Sequence, residues 1–190
     1  NGKKQSEMNY LNGKKEGNLT IWFENGKINE TKNYKNNKRY GKYTRSGVDG
    51  TLYEERNYKN DVVVDQTVFS YHGNGLINSE TKYKNGKLDG KQTKWFENGQ
   101  IESIAYYIKG LKEGSWTSWY KNGNNFFQGN YKKNNIDGNV MFWKMNGKED
   151  EERKYINGDL LSRTIYKYDY FTGLLKSKVA YEDGECISGC

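Results

Sequence analysis

Few side chains in this sequence have types suited to chemistry. His72 is the single histidine, beside Gly73-Asn74-Gly75, where a turn would point it at solvent. General acid–base work needs a positioned partner for an imidazole, and no Ser-His-Asp or His-metal constellation surrounds this one. Glu149-Asp150-Glu151-Glu152 set four carboxylates in a row. Carboxylate oxygens suit Ca²⁺, but neighbours on a strand point to opposite faces, so a solvated strand is expected and no metal site. Cys186 and Cys190 close the chain as C-x-x-x-C. Two thiolates cannot complete a zinc site. They are either two free thiols on a frayed tail or a small disulfide loop of an oxidising compartment. The last candidates are Trp22, Trp95, Trp119 and Trp143. Rings in a row either stack on a sugar, a base or a peptide, or pack within the fold. These four form the candidate partner-binding or stacking face. No catalytic or cofactor-binding residue is assigned.

The elements that hold these residues follow from a period of about 24 residues. Tyr10, Tyr34, Tyr58, Tyr83, Tyr107, Tyr131 and Tyr155 form a ladder, with Tyr181 as a slipped last rung. Each of the four tryptophans follows a ladder tyrosine by twelve positions, and a ring adjoins each: Phe23, Phe96, Tyr120 and Phe142. Gly17, Gly41, Gly90, Gly114 and Gly138 recur seven positions after the tyrosine. A glycine recurring within a strand marks a bend or a close approach, and a ring from a neighbouring strand is expected over it. Asn-Gly or a close substitute punctuates each repeat twice, first at Asn12-Gly13, Asn36-Asn37, Asn60-Asp61, Asn85-Gly86, Lys109-Gly110 and Asn157-Gly158. The second turn falls at Asn25-Gly26, Asp49-Gly50, Asn74-Gly75, Asn98-Gly99, Asn122-Gly123 and Asn146-Gly147. Asn-Gly between β-prone runs is a type I′ hairpin signal. Each repeat is therefore predicted to be two antiparallel strands, and the chain all-β: an elongated, single-sheet array of stacked hairpins. The repeats start near residues 8, 32, 56, 81, 105, 129 and 153, with a C-terminal cap over 179–190. One hairpin is marginal in water, so stability must come from contact with the next. Such a ribbon encloses no pocket. The third repeat has Asp65 in the glycine column, and the second lacks its tryptophan.

Composition agrees. Only 33% of residues are hydrophobic, yet 17 Tyr, 7 Phe and 5 Trp argue against disorder. Amphipathic rings suit a thin fold in which no residue is far from water. The formal charge of +7 is spread over every repeat, mostly as lysine near turns. That pattern guards strand edges; nucleic acid would call for a concentrated basic stripe and is not an expected partner. No apolar run is long enough to span a bilayer as a helix. The start at Asn1 rather than Met suggests a leader cleaved or left out. With the cysteine pair, it points to an exported or cell-envelope protein, a cytoplasmic one being the alternative.

YKNGKLDGKQTKWFENGQI, echoed by YLNGKKEGNLTIWFENGKI and YIKGLKEGSWTSWYKNGNN, resembles the bacterial MORN-repeat variant. The order Tyr, Asn-Gly, Gly, Trp-aromatic, Asn-Gly carries the resemblance over nearly the whole chain. It implies a twisted sheet of stacked hairpins with no catalytic residues to transfer. One bacterial branch of the family is described as antitoxin components, and other members as scaffolds or membrane-associated modules. The expected function is accordingly a non-enzymatic scaffold that binds a protein partner, in one form as an antitoxin or immunity-type protein. The alternative is a surface module that meets anionic lipid of a membrane or a glycan.

Overall fold

The computed structural model describes residues 2–190. Asn1, on which the expectation of a removed leader turns, lies outside them. Seventeen strands and no helix are found among the described residues, so none of their helices is long and apolar enough to cross a membrane. The chain divides into two compact units, up to Asp89 and from Gly90 onward.

The first unit contains β1 (Ser6–Leu11), β2 (Lys14–Trp22), β3 (Ile28–Lys35), β4 (Lys38–Ser46), β5 (Leu52–Lys59), β6 (Val62–Tyr71) and β7 (Ile77–Lys84). The second takes in most of β8 (Lys87–Trp95), then β9 (Ile101–Ile108), β10 (Leu111–Trp119) and β11 (Asn125–Lys132). There follow β12 (Asn135–Ile136), β13 (Gly138–Trp143), β14 (Glu149–Ile156), β15 (Asp159–Tyr168), β16 (Leu175–Glu182) and β17 (Glu185–Ser188). Within each unit the strands pair antiparallel in chain order, β12 and β13 both pairing β11. The all-β, hairpin-ordered antiparallel class expected from the turns is what forms.

The two turns of a repeat differ, contrary to the expectation of type I′ geometry at both. At the first turn both central residues have positive φ, as at Asn12 (48°) and Gly13 (75°), or Lys133 (50°) and Asn134 (72°). That is the type I′ signature. At the second, only the glycine does: Gly26 has φ 85°, while Asn25 does not leave the ordinary region. Here Phe23 N donates to Lys27 O (2.8 Å) and Gly26 N to Phe23 O (2.9 Å), a longer hairpin loop ending in a left-handed glycine. The asparagine works through its side chain, its δ-oxygen accepting from Lys27 N at 3.0 Å.

The glycine column has a different cause from the one expected. Each column glycine faces a ladder tyrosine: Gly17 opposite Tyr34, Gly41 opposite Tyr58, Gly90 opposite Tyr107, Gly114 opposite Tyr131 and Gly138 opposite Tyr155. No ring lies over Gly17, Gly41, Gly114 or Gly138, however. A Cβ on Gly41 would meet only Asn33, and on Gly114 nothing within 4 Å. What glycine supplies is φ of 78° and 84° inside a bulge. Between Tyr107 and Ala105 on β9 lies one residue; between their partners Lys112 and Trp116 on β10 lie Glu113, Gly114 and Ser115. Where the glycine is missing, the bulge shrinks. In β6 a single extra residue, Val64, separates Val63 and Asp65 opposite Tyr58 and Asn57. The strand then runs ten residues where the glycine strands β2, β4 and β10 run nine. β15 repeats the device with Leu161.

The core is thin, as the ring-rich composition implied. Tyr43, Tyr58 and Glu54 are buried in the first unit, and Ala105, Phe127, Val140, Tyr166 and Val179 in the second.

Candidate functional site

Side chains two apart on a strand share a face, and the register carries that face from strand to strand. In the second unit one row runs Lys94, Ser103, Ser118, Phe127, Phe142, Glu151. The next runs Gln92, Ala105, Trp116, Gly129. The ladder tyrosines Tyr107 and Tyr131 share this face, facing Gly90 and Gly114. Trp116 is its hub: its ring lies 4.7 Å from Phe127 and 5.7 Å from Tyr131, and Phe127 lies 5.2 Å from Phe142. The Lys112 ammonium stands 4.0 Å from the Trp116 ring and 4.6 Å from Tyr131. Desolvation there, then the like charge of Lys94, hold its pKa below the ordinary lysine range.

Where these strands run into their second-turn loops the face opens into a groove of ≈ 520 Å³. Its walls are Trp116, Trp119, Phe96, Tyr120, Phe126 and Met145, with Ser103 and Ser118 on its floor and Lys94, Lys121 and Glu102 also lining it. Phe126 and Met145 are 43% and 63% exposed, large apolar side chains left at the surface. The loops that carry them are tied together. The Asn98 δ-amide donates to Lys121 O at 3.0 Å, and the Asn122 δ-amide to Met145 O at 2.8 Å. The Tyr120 hydroxyl donates to Trp143 O at 2.8 Å.

The first unit carries a groove at corresponding rows, of ≈ 720 Å³, in which Arg45, Glu54 and Gln66 line the wall beside Phe23, Tyr53 and Phe69. Arg45 faces Glu54 and Glu54 faces Val68, in the places of Lys94, Ser103 and Ser118. Glu54 accepts from Arg56 Nε at 2.7 Å and from the Gln66 amide. Arg56 donates to the Tyr58 hydroxyl at 3.2 Å, and Arg39 does so at 3.3 Å. Tyr43, 8% exposed in this cluster, has its pKa pushed up to about 12 by burial and then by Glu30 and Glu54.

The tryptophan column is half-buried rather than an open platform. Trp22, Trp95, Trp119 and Trp143 each end a strand. Of the four, Trp119 lines the aromatic groove, Trp143 serves its neighbour loop through its carbonyl, and Trp22 carries Lys4 at 5.6 Å from its ring. The decisive ring, Trp116, stands outside the column. Its signal was its parity, two residues beyond Gly114 and so on the face of the ladder tyrosines. His72 is half-buried, not a solvent-facing tip. It occupies the loop position of Phe23 and Phe96, its N donating to Leu76 O at 2.8 Å. The acidic run is divided: Glu151 pairs with Arg153 at 2.8 Å, Asp150 with Lys144 at 3.4 Å, and Glu152 accepts from the Tyr166 hydroxyl at 3.5 Å. Cys186 and Cys190 are joined by a disulfide, their Cα atoms 6.3 Å apart.

The family model described as MORN repeat variant matches residues 15–36 and 88–109. Those two stretches are MORN repeats of the variant type. Each match runs from the glycine strand through the second-turn loop to the tyrosine strand and into the next first turn. Each matched stretch is thus one rung of the register described above, and each contains a bulge glycine, an Asn-Gly loop and a ladder tyrosine. No curated protein matches the chain. A crystal structure at 1.90 Å of a protein with unknown function from Bacteroides fragilis is similar at 13% identity. It covers 88% of this chain and 92% of that one with a TM-score of 0.12, which supports no conclusion about fold or role.

Proposed function

We propose that this protein is a non-enzymatic MORN-repeat scaffold that binds a protein partner through the aromatic groove of its second unit. The observation that carries the proposal is the groove itself. Six apolar or aromatic side chains converge on an open sheet face, and two of them, Phe126 and Met145, are exposed. Interface centres are enriched in aromatic residues and Met. In the acidic run Glu151, Asp150 and Glu152 are bonded to three separate partners, Arg153, Lys144 and Tyr166. A scaffold of this kind acts by occlusion, covering a partner's surface over a broad contact. An antitoxin or immunity-type protein is one form it takes.

The test is a crosslinking pull-down from the source cells with the native protein and with a Phe126→Glu/Met145→Glu variant. A single stoichiometric protein should be recovered with the native chain and lost with the variant, while both give the same melt. Recovery that is equal with both places the interface elsewhere. Capture of lipid or glycan in place of protein replaces the proposal with its alternative.

A further inference from the structure

The groove has a polar floor that the apolar walls do not explain. Ser118 is only 7% exposed, and its hydroxyl has no hydrogen-bond partner. Buried hydroxyls are nearly always satisfied, so an orphan one at the floor of a groove is a donor waiting for an acceptor. Its cross-strand neighbour is Ser103, and beyond Ser103 lies Lys94. A cation and two hydroxyls therefore stand side by side on adjacent strands. Lys112 adds a second ammonium over the Trp116 ring. Among the described residues neither lysine has a carboxylate within ion-pair distance, whereas Lys144 and Arg153 of this unit do. Lys121 also lines the groove, with no ion pair among the described residues, against a single lining carboxylate, Glu102. Positive charge beside an unsatisfied donor suits an anion, and hydrogen bonds to a carboxylate from such donors are the strong, charge-assisted kind.

Resting on the protein-binding proposal above, we infer that the occupant of this groove is an extended acidic segment of the partner. One carboxylate sits between Ser118, Ser103 and Lys94, and an aromatic or long aliphatic side chain packs on Tyr120, Phe126 and Met145. In an extended segment, residues two apart point the same way. The recognised pattern is therefore an Asp or Glu two positions from a Phe, Trp, Leu or Met. A protein segment fits better than a lipid headgroup because the apolar wall and the anion donors lie on one small groove, where the ring and the carboxylate must be joined at fixed spacing.

Selection of a displayed library of random peptides, each of about twelve residues, on the whole protein tests this. Binding of the enriched peptides is then read by tryptophan fluorescence. Enriched sequences should share the spaced acid and apolar anchor. Lys94→Gln/Lys112→Gln should weaken them about tenfold or more, and Ser118→Ala should weaken them less. Affinity should fall as salt rises, and the variants should melt as the native protein does. Enrichment of neutral or basic peptides overturns the acidic assignment while leaving the protein-binding proposal in place. So does indifference of acidic peptides to the lysine variants, which puts them at another surface. If no peptide is enriched and vesicles containing phosphatidylserine bind in a Lys94- and Lys112-dependent way, the site serves a membrane. If no peptide is enriched and the pull-down partner still depends on Phe126 and Met145, the partner is held by a folded surface, and the segment assignment falls alone.

Discussion

Two glycines on adjacent strands, Gly114 of β10 and Gly129 of β11, show how little a residue type says by itself. Gly114 sits at φ 84° with open space where a Cβ would go. Gly129 has an ordinary φ, but a Cβ would come within 2.9 Å of the Phe127 ring and 3.1 Å of Val140. The first is needed for backbone conformation, the second for room. Gly114→Ala should cost about 1 kcal/mol, the cost of placing an L residue in the left-handed region, and Gly114→Asn less. Gly129→Ala should cost about 1–3 kcal/mol through overpacking, with Gly129→Asn worse still. Urea melts of the four variants would show opposite orders for asparagine at the two sites; the same order at both would contradict the distinction. The Tyr43 phenol supplies a second test. Its folded pKa, about 12, lies above the ordinary value of 10.0. The folded state thus holds the proton that the unfolded chain releases, so this contribution is complete below pH 10 and is lost as pH rises through about 12. Tyr43→Phe should flatten the alkaline fall in stability over that window, as followed by fluorescence-detected urea melts. An unchanged slope would show that the buried phenol is not among the groups that drive it.

At the scale of the element, the hairpins were legible because Asn-Gly between β-prone runs admits few other structures. Their kind was legible only by half. Both turns of a repeat put a residue in the left-handed region, glycine in most of them, so the dipeptide reads alike in sequence. The difference lies in the asparagine, which takes positive φ at Asn12 and keeps an ordinary φ at Asn25, bonding through its side chain. No dipeptide rule encodes that choice, which goes with the loop: two residues between β1 and β2, five between β2 and β3. The same limit hid the ties between loops. Asn25, Asn98 and Asn122 use the δ-oxygen within their own loop and the δ-amide on the loop of the next repeat. Asp49, in the corresponding place, keeps the first bond, to Thr51 N, and has no amide for the second. Asn122→Asp should therefore keep the loop and lose this bond, the Asn124 δ-amide still donating to Met145 O at 2.9 Å, at a cost of about 1 kcal/mol. Asn122→Ala should cost more, because both bonds go. Equal losses for Asp and Ala would mean that the amide contributes nothing, and that the groove wall at Met145 is held by other contacts.

For the whole molecule, the period was the strongest signal in the sequence, and it held because one set of contacts is reused. In each unit a strand meets the strand before it and the strand after it. The aromatic groove was not legible, because it depends on register: Trp116, Ser118 and Lys94 meet only once the three-against-one bulge at Gly114 has fixed which residue faces which. Stability assembled from neighbour contacts is close to additive over repeats. Removing residues 107–130, one period from Tyr107 to the residue before Tyr131, should rejoin equivalent positions, Tyr131 taking the place of Tyr107. The shortened chain should keep an antiparallel β spectrum by circular dichroism. It should unfold at lower urea with a smaller m-value, since less surface is exposed on unfolding. It also loses Trp116, Ser118, Trp119, Tyr120 and Phe126 together, and with them the groove. A folded, shortened chain that no longer captures the partner would separate the repeat as scaffold from this one repeat as binding site. A shortened chain that fails to fold would show that the repeats are not interchangeable, and one that folds and still binds would remove the groove from the function.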